Sequence, residues 1–232
     1  MLEDNLIQIA GVVDEAEASM LHQCGVRYLG FPLRLPVHQE DLSEEAAANI
    51  IRGLDSSVSG VLITYLNNAT EIADFCHFLG VKIVQLHGDI GSDELKKLKT
   101  LDPNLTVIKS LVIGLQDNET LESIMGKLSA DVDAFITDTF DPKTGASGAT
   151  GKTHDWGVSH RLVELSDRPV ILAGGLTPEN VRRAILEVKP AGVDSHTGVE
   201  DATGRKSREK IEKFVTETQA AYRKLKGAGV GS

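Results

Sequence analysis

Short apolar runs alternate along this chain with longer stretches in which apolar residues recur at helical spacing. The runs cover residues 6–10, 26–31, 60–64, 82–86, 105–108, 134–137, 169–172 and 191–194. Each is about four to six residues long, the size of a strand covered on both faces. Between them, Ala47, Ile50, Ile51 and Leu54 fall at i, i+3, i+4 and i+7, as do Ile72, Phe75, Cys76 and Leu79. Leu121, Ile124, Met125 and Leu128 repeat the spacing, and so do Val181, Ala184, Ile185 and Val188. Such spacing draws one apolar stripe down each helix, to be buried against a sheet. Ser43-Glu44-Glu45 and Thr177-Pro178-Glu179 read as helix starts, with a hydroxyl cap and acids near the positive end. Repeated strand–helix pairs without a linker predict a single (β/α)8 barrel over residues 1–226, then a small flexible tail, 227–232. The competing α/β architecture is a doubly wound open sheet. It is disfavoured because no GxGxxG follows the first run.

Composition narrows the function. The chain has 232 residues, 41 % hydrophobic and 25 % charged, an ordinary globular mix. Its 24 Lys and Arg against 34 Asp and Glu give a net charge of −10, which argues against a nucleic-acid partner. No apolar run approaches the roughly 18 residues of a membrane span, and the first residues lack the pattern of a signal peptide. Two cysteines, Cys24 and Cys76, exclude a disulfide scaffold or a cysteine zinc site, and a cytoplasmic location is the simplest expectation. The seven histidines form neither HxH nor HExxH, so no metal or other cofactor is expected.

In a barrel of this kind chemistry sits at the strand C-termini and in the loops that follow them. After the seventh and eighth runs come Ala173-Gly174-Gly175-Leu176 and His196-Thr197-Gly198. Small residues there let backbone N–H groups approach an anion, which makes Gly174, Gly175, Thr197 and Gly198 candidate phosphate ligands. The plainer reading is that the glycines only permit tight turns. Asp138 ends the sixth run and is a candidate general acid or base, or else a loop-anchoring carboxylate. His87 and Lys109, at the fourth and fifth run ends, are placed to orient a substrate. The long stretch from Asp138 to Asp155 has the length of a lid. It closes on Gly151-Lys152-Thr153 but fails GxxxxGK(S/T), because Ala146 stands where the first glycine is required.

These residues resemble the phosphoribosylanthranilate isomerase family of tryptophan biosynthesis over nearly the whole chain. The resemblance is carried by Val84-Gln85-Leu86-His87-Gly88, by residues 148–156, by residues 171–181 and by Gly192-Val193-Asp194-Ser195-His196-Thr197-Gly198-Val199-Glu200. It implies a (β/α)8 barrel and an Amadori rearrangement. An acid protonates the ribose ring oxygen, a base removes the C2 proton, and an enolamine becomes the 1-deoxyribulose product. Asp138 matches the family's acid, while the family's base, a cysteine in Lys-x-Cys-Gly, is Ala10 here. The family's Ser-x-Arg clamp for the anthranilate carboxylate is also absent, with Gln39 or Glu40 near the arginine position and Arg34 nearby at a different spacing. His196-Thr197-Gly198 stands where the family has Ser-Ser-Gly, and Ala149 replaces a glycine. His87, Arg34 and Asp194 are the candidate substrate contacts. The expectation is an aldose–ketose type isomerase acting on a phosphorylated sugar compound through Asp138. The alternatives are a genuine phosphoribosylanthranilate isomerase with a substituted base, or a non-catalytic binder of phosphorylated metabolites.

Overall fold

The computed structural model describes residues 2–36, 42–141, 146–147 and 155–228. The chain alternates strand and helix as the pattern predicts: β1 (Leu6–Ala10), α1 (Glu15–Gln23), β2 (Tyr28–Pro32), α2 (Glu44–Gly53), β3 (Ser59–Thr64), α3 (Ala69–Leu79) and β4 (Ile83–Leu86). It continues with α4 (Ser92–Leu101), β5 (Thr106–Ile113), α5 (Asn118–Leu128), β6 (Ala134–Asp141), β7 (Ala146–Ser147) and α6 (Trp156–Leu165). The last elements are β8 (Val170–Leu172), α7 (Val181–Val188), β9 (Gly192–Ser195) and α8 (Arg208–Ala228). Among the described residues β7 is a two-residue antiparallel partner of β6, and the other strands pair in parallel. Pairing of β5 with β6 and of β1 with β9 closes them into a barrel. The architecture is therefore the (β/α)8 barrel, and the open sheet is excluded.

The helices begin where short polar side chains cap them. Asp14, Ser43, Asn68, Asp117 and Asp155 each accept a backbone N–H of the first turn. Such a cap is worth about 1 kcal/mol over alanine. The predicted stripes are the buried faces: Ala47, Ile50 and Ile51 on α2, the four residues on α3, and the four on α7. They pack on the outward residues of the strands in one shell. The inward residues form a second cluster that fills the lumen, including Leu6, Ala10, Tyr28, Ile63, Ile108 and Ile136. The barrel is thus a packed core with a closed floor.

Four boundaries depart most from the sequence reading. Both β5 and β6 run past the ends of their apolar runs, because their backbones stay paired from Ile108↔Ala134 to Ile113↔Thr139. Lys109 is consequently inside β5. Helix α7 starts at Val181 rather than near Thr177. The residues between form a capped turn, in which Thr177 Oγ1 accepts from Glu179 N at 3.2 Å and Asn180 Oδ1 accepts from Thr177 N at 2.8 Å. Helix α8 continues to Ala228, past residue 226. Residues 229–232 lie outside the described residues.

Candidate active site

Above the apolar floor, the C-terminal ends of the strands gather a polar layer. Gln8 on β1 donates from Nε2 to Gln85 Oε1 on β4 at 2.8 Å. Gln85 Nε2 donates in turn to His87 Nε2 at 2.7 Å. An accepting Nε2 leaves the proton of a neutral imidazole on Nδ1, a tautomer assigned from the network. Nδ1 lies 3.3 Å from Asp138 Oδ2, out of line for a hydrogen bond. Asp138 Oδ1 accepts the Thr139 N–H at 2.7 Å. The Tyr65 ring stacks on His87 with centroids 5.4 Å apart. On β9, Asp194 is in register with Gln8 and lies beside its side chain. Asp138, His87 and Asp194 are therefore brought together, linked through two glutamines.

Burial sets the charge of this layer. It pushes the Asp138 carboxyl up to about 7, with the Thr139 N–H pulling down and the Asp194 charge pushing further up. Burial likewise raises Asp194 to about 7, against the Gln8 side chain and the Lys206 charge. Burial lowers His87 to about 3, helped by the Lys109 charge. His87 is thus neutral at any ordinary pH. Asp138 is poised near neutrality, where a carboxylic acid both gives and takes a proton readily. Lys109 donates from Nζ to the Leu86 and Ser110 carbonyls at 3.3 and 3.0 Å, and burial lowers it to about 8.

The loops after β8 and β9 lie against one another. Gly174 and Gly175 both have left-handed backbones, with φ of 97° and 62°. Thr137 staples the end of β8 to β6, its Oγ1 accepting from Ala173 N at 3.1 Å. Ser195 Oγ donates to Leu176 O at 2.8 Å. Gly198 follows Thr197 in a single 3-10 turn. A methyl on Gly198 would lie 1.9 Å from Leu176 O, so only a bare backbone fits there. The four candidate phosphate residues therefore share one pair of loops at the rim.

Arg34 lies just past the end of β2. Its Nε and Nη2 hold Glu44 at 2.8 and 3.1 Å, its Nη1 holds Glu71 at 3.2 Å, and its guanidinium covers the Phe75 ring. It braces the first turns of α2 and α3. Gln39, Glu40, Ala149, Lys152 and His154 lie outside the described residues.

Sequence reasoning did not single out Gln8, Gln85, Tyr65, Glu200 or Lys206. Both glutamines interrupt apolar strands at inward positions, and Gln85 also lies within a segment that carries the family resemblance. Lys206 is buried, with Nζ 2.6 Å from Glu200 Oε1 and donating to the His196 carbonyl at 3.3 Å. Its own N–H donates to buried Glu17 at 2.9 Å, tying the β9 loop to α1.

Comparison with known proteins places this geometry. The profile of the family described as N-(5'phosphoribosyl)anthranilate (PRA) isomerase matches residues 7–217. The chain is 37 % identical to N-(5'-phosphoribosyl)anthranilate isomerase 2 of Methanosarcina mazei, over 95 % of this chain and 96 % of that protein. It is 32 % identical to the isomerase of Haloferax volcanii, over 93 % of each. The crystal structure of phosphoribosyl anthranilate isomerase from Thermotoga maritima superposes with a TM-score of 0.78 at 27 % identity, covering 93 % of this chain and 99 % of that one. A further structure of such an isomerase is in complex with reduced 1-(o-carboxyphenylamino)-1-deoxyribulose 5-phosphate. It gives 0.76 at 25 % identity, again over 93 % and 99 %. The chain belongs to the N-(5'-phosphoribosyl)anthranilate isomerase family.

Proposed function

We propose that this protein isomerises N-(5'-phosphoribosyl)anthranilate in tryptophan biosynthesis, with Asp138 as the acid that opens the ribose ring. The coarser statement, an aldose–ketose isomerase of a family named for a phosphoribosyl substrate, follows from membership. The observation that carries the finer one is the Asp138 carboxyl, held at about 7 in the barrel mouth. A proton from Asp138 to the ring oxygen breaks the C1–O bond, and the anilino nitrogen lends its pair to make an iminium. Removal of the C2 proton then gives the enolamine, and reprotonation at C1 gives the ketose. His87 and Asp194 line the same layer and are assigned to the sugar hydroxyls. The phosphate is assigned to the rim, where Gly174, Gly175, Thr197 and Gly198 offer backbone N–H groups and a hydroxyl.

Arg34 supports a second reading. An aryl carboxylate at Arg34 would exchange with Glu71, which is more exposed than Glu44. The same chemistry on a phosphoribosyl amine without that carboxylate needs no such exchange. The deciding experiment incubates the purified protein with freshly made phosphoribosylanthranilate and follows its fluorescence. Turnover at an enzyme-like rate that Asp138→Asn removes is the expected result. A silent protein that still binds reduced 1-(o-carboxyphenylamino)-1-deoxyribulose 5-phosphate would leave the scaffold and reject the substrate.

A further inference from the structure

An acid works only as well as its site holds the charge left behind. When Asp138 gives its proton to the ring oxygen, the O–H pair stays on the carboxyl as a full negative charge. One donor is already committed to it, the Thr139 N–H at 2.7 Å from Oδ1. Asp194 on β9 opposes the charge, and Tyr65, after β3, lies within its range. Oδ2 faces His87 Nδ1 at 3.3 Å, and this buried nitrogen has no hydrogen-bond partner. Whether Nδ1 carries a proton or a lone pair decides if it helps the acid or holds its proton back.

The row of side chains behind His87 fixes that choice. Asp194 and Gln8 face each other across β9 and β1. A carboxylate only accepts, so Gln8 turns its N–H group to Asp194, and that hydrogen bond favours the Asp194 charge together with the Lys206 cation. Gln8 Oε1 is left without a partner. With its amide so turned, Gln8 Nε2 also donates to Gln85 Oε1 at 2.8 Å. Gln85 then has only its own Nε2 to offer His87, 2.7 Å from the ring Nε2. A donor there claims the Nε2 lone pair and leaves the imidazole proton on Nδ1. Burial and the Lys109 charge keep the ring from taking a second proton, and the stacked Tyr65 ring holds its plane. Reversing both amides would put a lone pair on Nδ1, but would also set Gln8 Oε1 against the Asp194 charge.

We propose that Gln85 is a positioning residue, fixing the His87 tautomer whose Nδ1–H receives the charge that forms on Asp138 as the ribose ring opens. The step it serves rests on the phosphoribosylanthranilate reading above, and the proposal narrows the part given there to His87. Before the step Nδ1–H has no partner. After it, a carboxylate oxygen stands 3.3 Å away to accept that N–H, so the hydrogen bond is gained as the charge develops and not before. The proton passes from Asp138 to the ring oxygen, the C1–O pair goes to that oxygen, and His87 neither gains nor loses a proton.

The test has two readouts on the full-length protein. Nitrogen NMR of histidine-labelled protein, just below neutrality, reports the His87 ring, with its signals assigned by their loss in His87→Asn. Kinetics with phosphoribosylanthranilate report kcat, KM and the pH profile. In the wild type the proton is expected on Nδ1, with Nε2 bare. In Gln85→Met the form protonated on Nε2 is expected to appear. There kcat is expected to fall by about tenfold or more, the usual worth of a hydrogen bond to a charged group, with KM within about threefold. The alkaline decline of kcat/KM is expected to move up by about one pH unit, because a carboxylate without that donor is harder to form. A side chain that only fills space would move neither the ring proton nor the decline. His87→Asn places an amide N–H where Nδ1 stands, so in that background Gln85→Met is expected to cost less than about threefold. Binding of the reduced product analogue at wild-type affinity shows that a variant is folded, and Gln85→Leu is the substitute if Gln85→Met is not. A wild-type ring protonated on Nε2 overturns the proposal whatever the substrate. So does full kcat with an unmoved decline in Gln85→Met, or an equal loss in both backgrounds. Absence of turnover in the wild type overturns the substrate reading, and the ring nitrogens then decide this proposal.

Discussion

Asp138 holds its proton near neutrality because water is excluded from it, and a single backbone N–H is too little to stabilise the full carboxylate charge. Asp138→Asn keeps the shape and removes the titration. Its kcat is expected to fall by about 10² to 10⁴ in the fluorescence assay. On the proposed role of Asp138 as the acid, the working form is the carboxylic acid, and wild-type kcat/KM is expected to decline as pH rises through about 7. A flat profile to well above that value would assign the acid to another group. The place of Asp138 at a strand end was legible in the sequence because it closes an apolar run, though a loop-anchoring carboxylate would leave the same trace. Gln8 and Gln85 were not, since a run such as Leu6-Ile7-Gln8-Ile9-Ala10 reads as a strand buried on both faces. Only closure of the barrel gives its inner face a polar layer. The place of Asp194 beside Gln8 was equally hidden, because it depends on pairing the first barrel strand with the last.

At the scale of elements, the strand ends and the loops after them carry the differences from the sequence reading. The helix stripes were legible because burial against a sheet demands them. The strand ends were not, because a barrel strand keeps its backbone pairing after its side chains turn polar, as β5 and β6 do through Ser110, Asp138 and Thr139. The rim loops give a sharper test. A Cβ at Gly198 meets Leu176 O at 1.9 Å, a backbone atom that cannot step aside cheaply. Gly198→Ala is expected to push the two loops apart and weaken the reduced product analogue by about tenfold or more, roughly 1.4 kcal/mol, as read by calorimetry. The kcat of bound substrate is expected to change less, because the displaced groups lie in the loops assigned to the phosphate under the proposed function. Arg34 makes the contrasting case. Arg34 and Glu44 are about one-third exposed and Glu71 is half exposed, and exposed pairs are screened. Arg34→Ala is accordingly expected to cost only about 1 kcal/mol in urea unfolding. A larger rise in KM than in instability would bring Arg34 to the substrate.

For the molecule as a whole, the polar layer has a cost that depends on pH. Asp138 and Asp194 both stand at about 7 in the folded barrel, against an ordinary 3.8 for the exposed side chain. Between those values the native state binds more protons than the unfolded chain, so stability falls as pH rises across this window. Below about pH 4 both states are protonated, and above about pH 7 the full cost is present. His87 opposes this at the acid end. Its folded value of about 3 lies below the ordinary 6.5, so the native state binds fewer protons there, and the His87 contribution is lost as pH falls toward 3. Two carboxylates outweigh one histidine between about 4 and 6.5, so these groups together favour the acid side of neutrality. The melting temperature is therefore expected to be higher near pH 5.5 than at pH 8. Asp138→Asn separates the cause from the general charge of the chain. An amide cannot ionise, so the variant is expected to melt above the wild type at pH 8, where the wild-type carboxylate is charged and buried. At pH 5 the two should nearly coincide, because the wild-type group is already neutral. A uniform offset at both pH values would place the effect in packing, and the ionisation argument for Asp138 would fall with it.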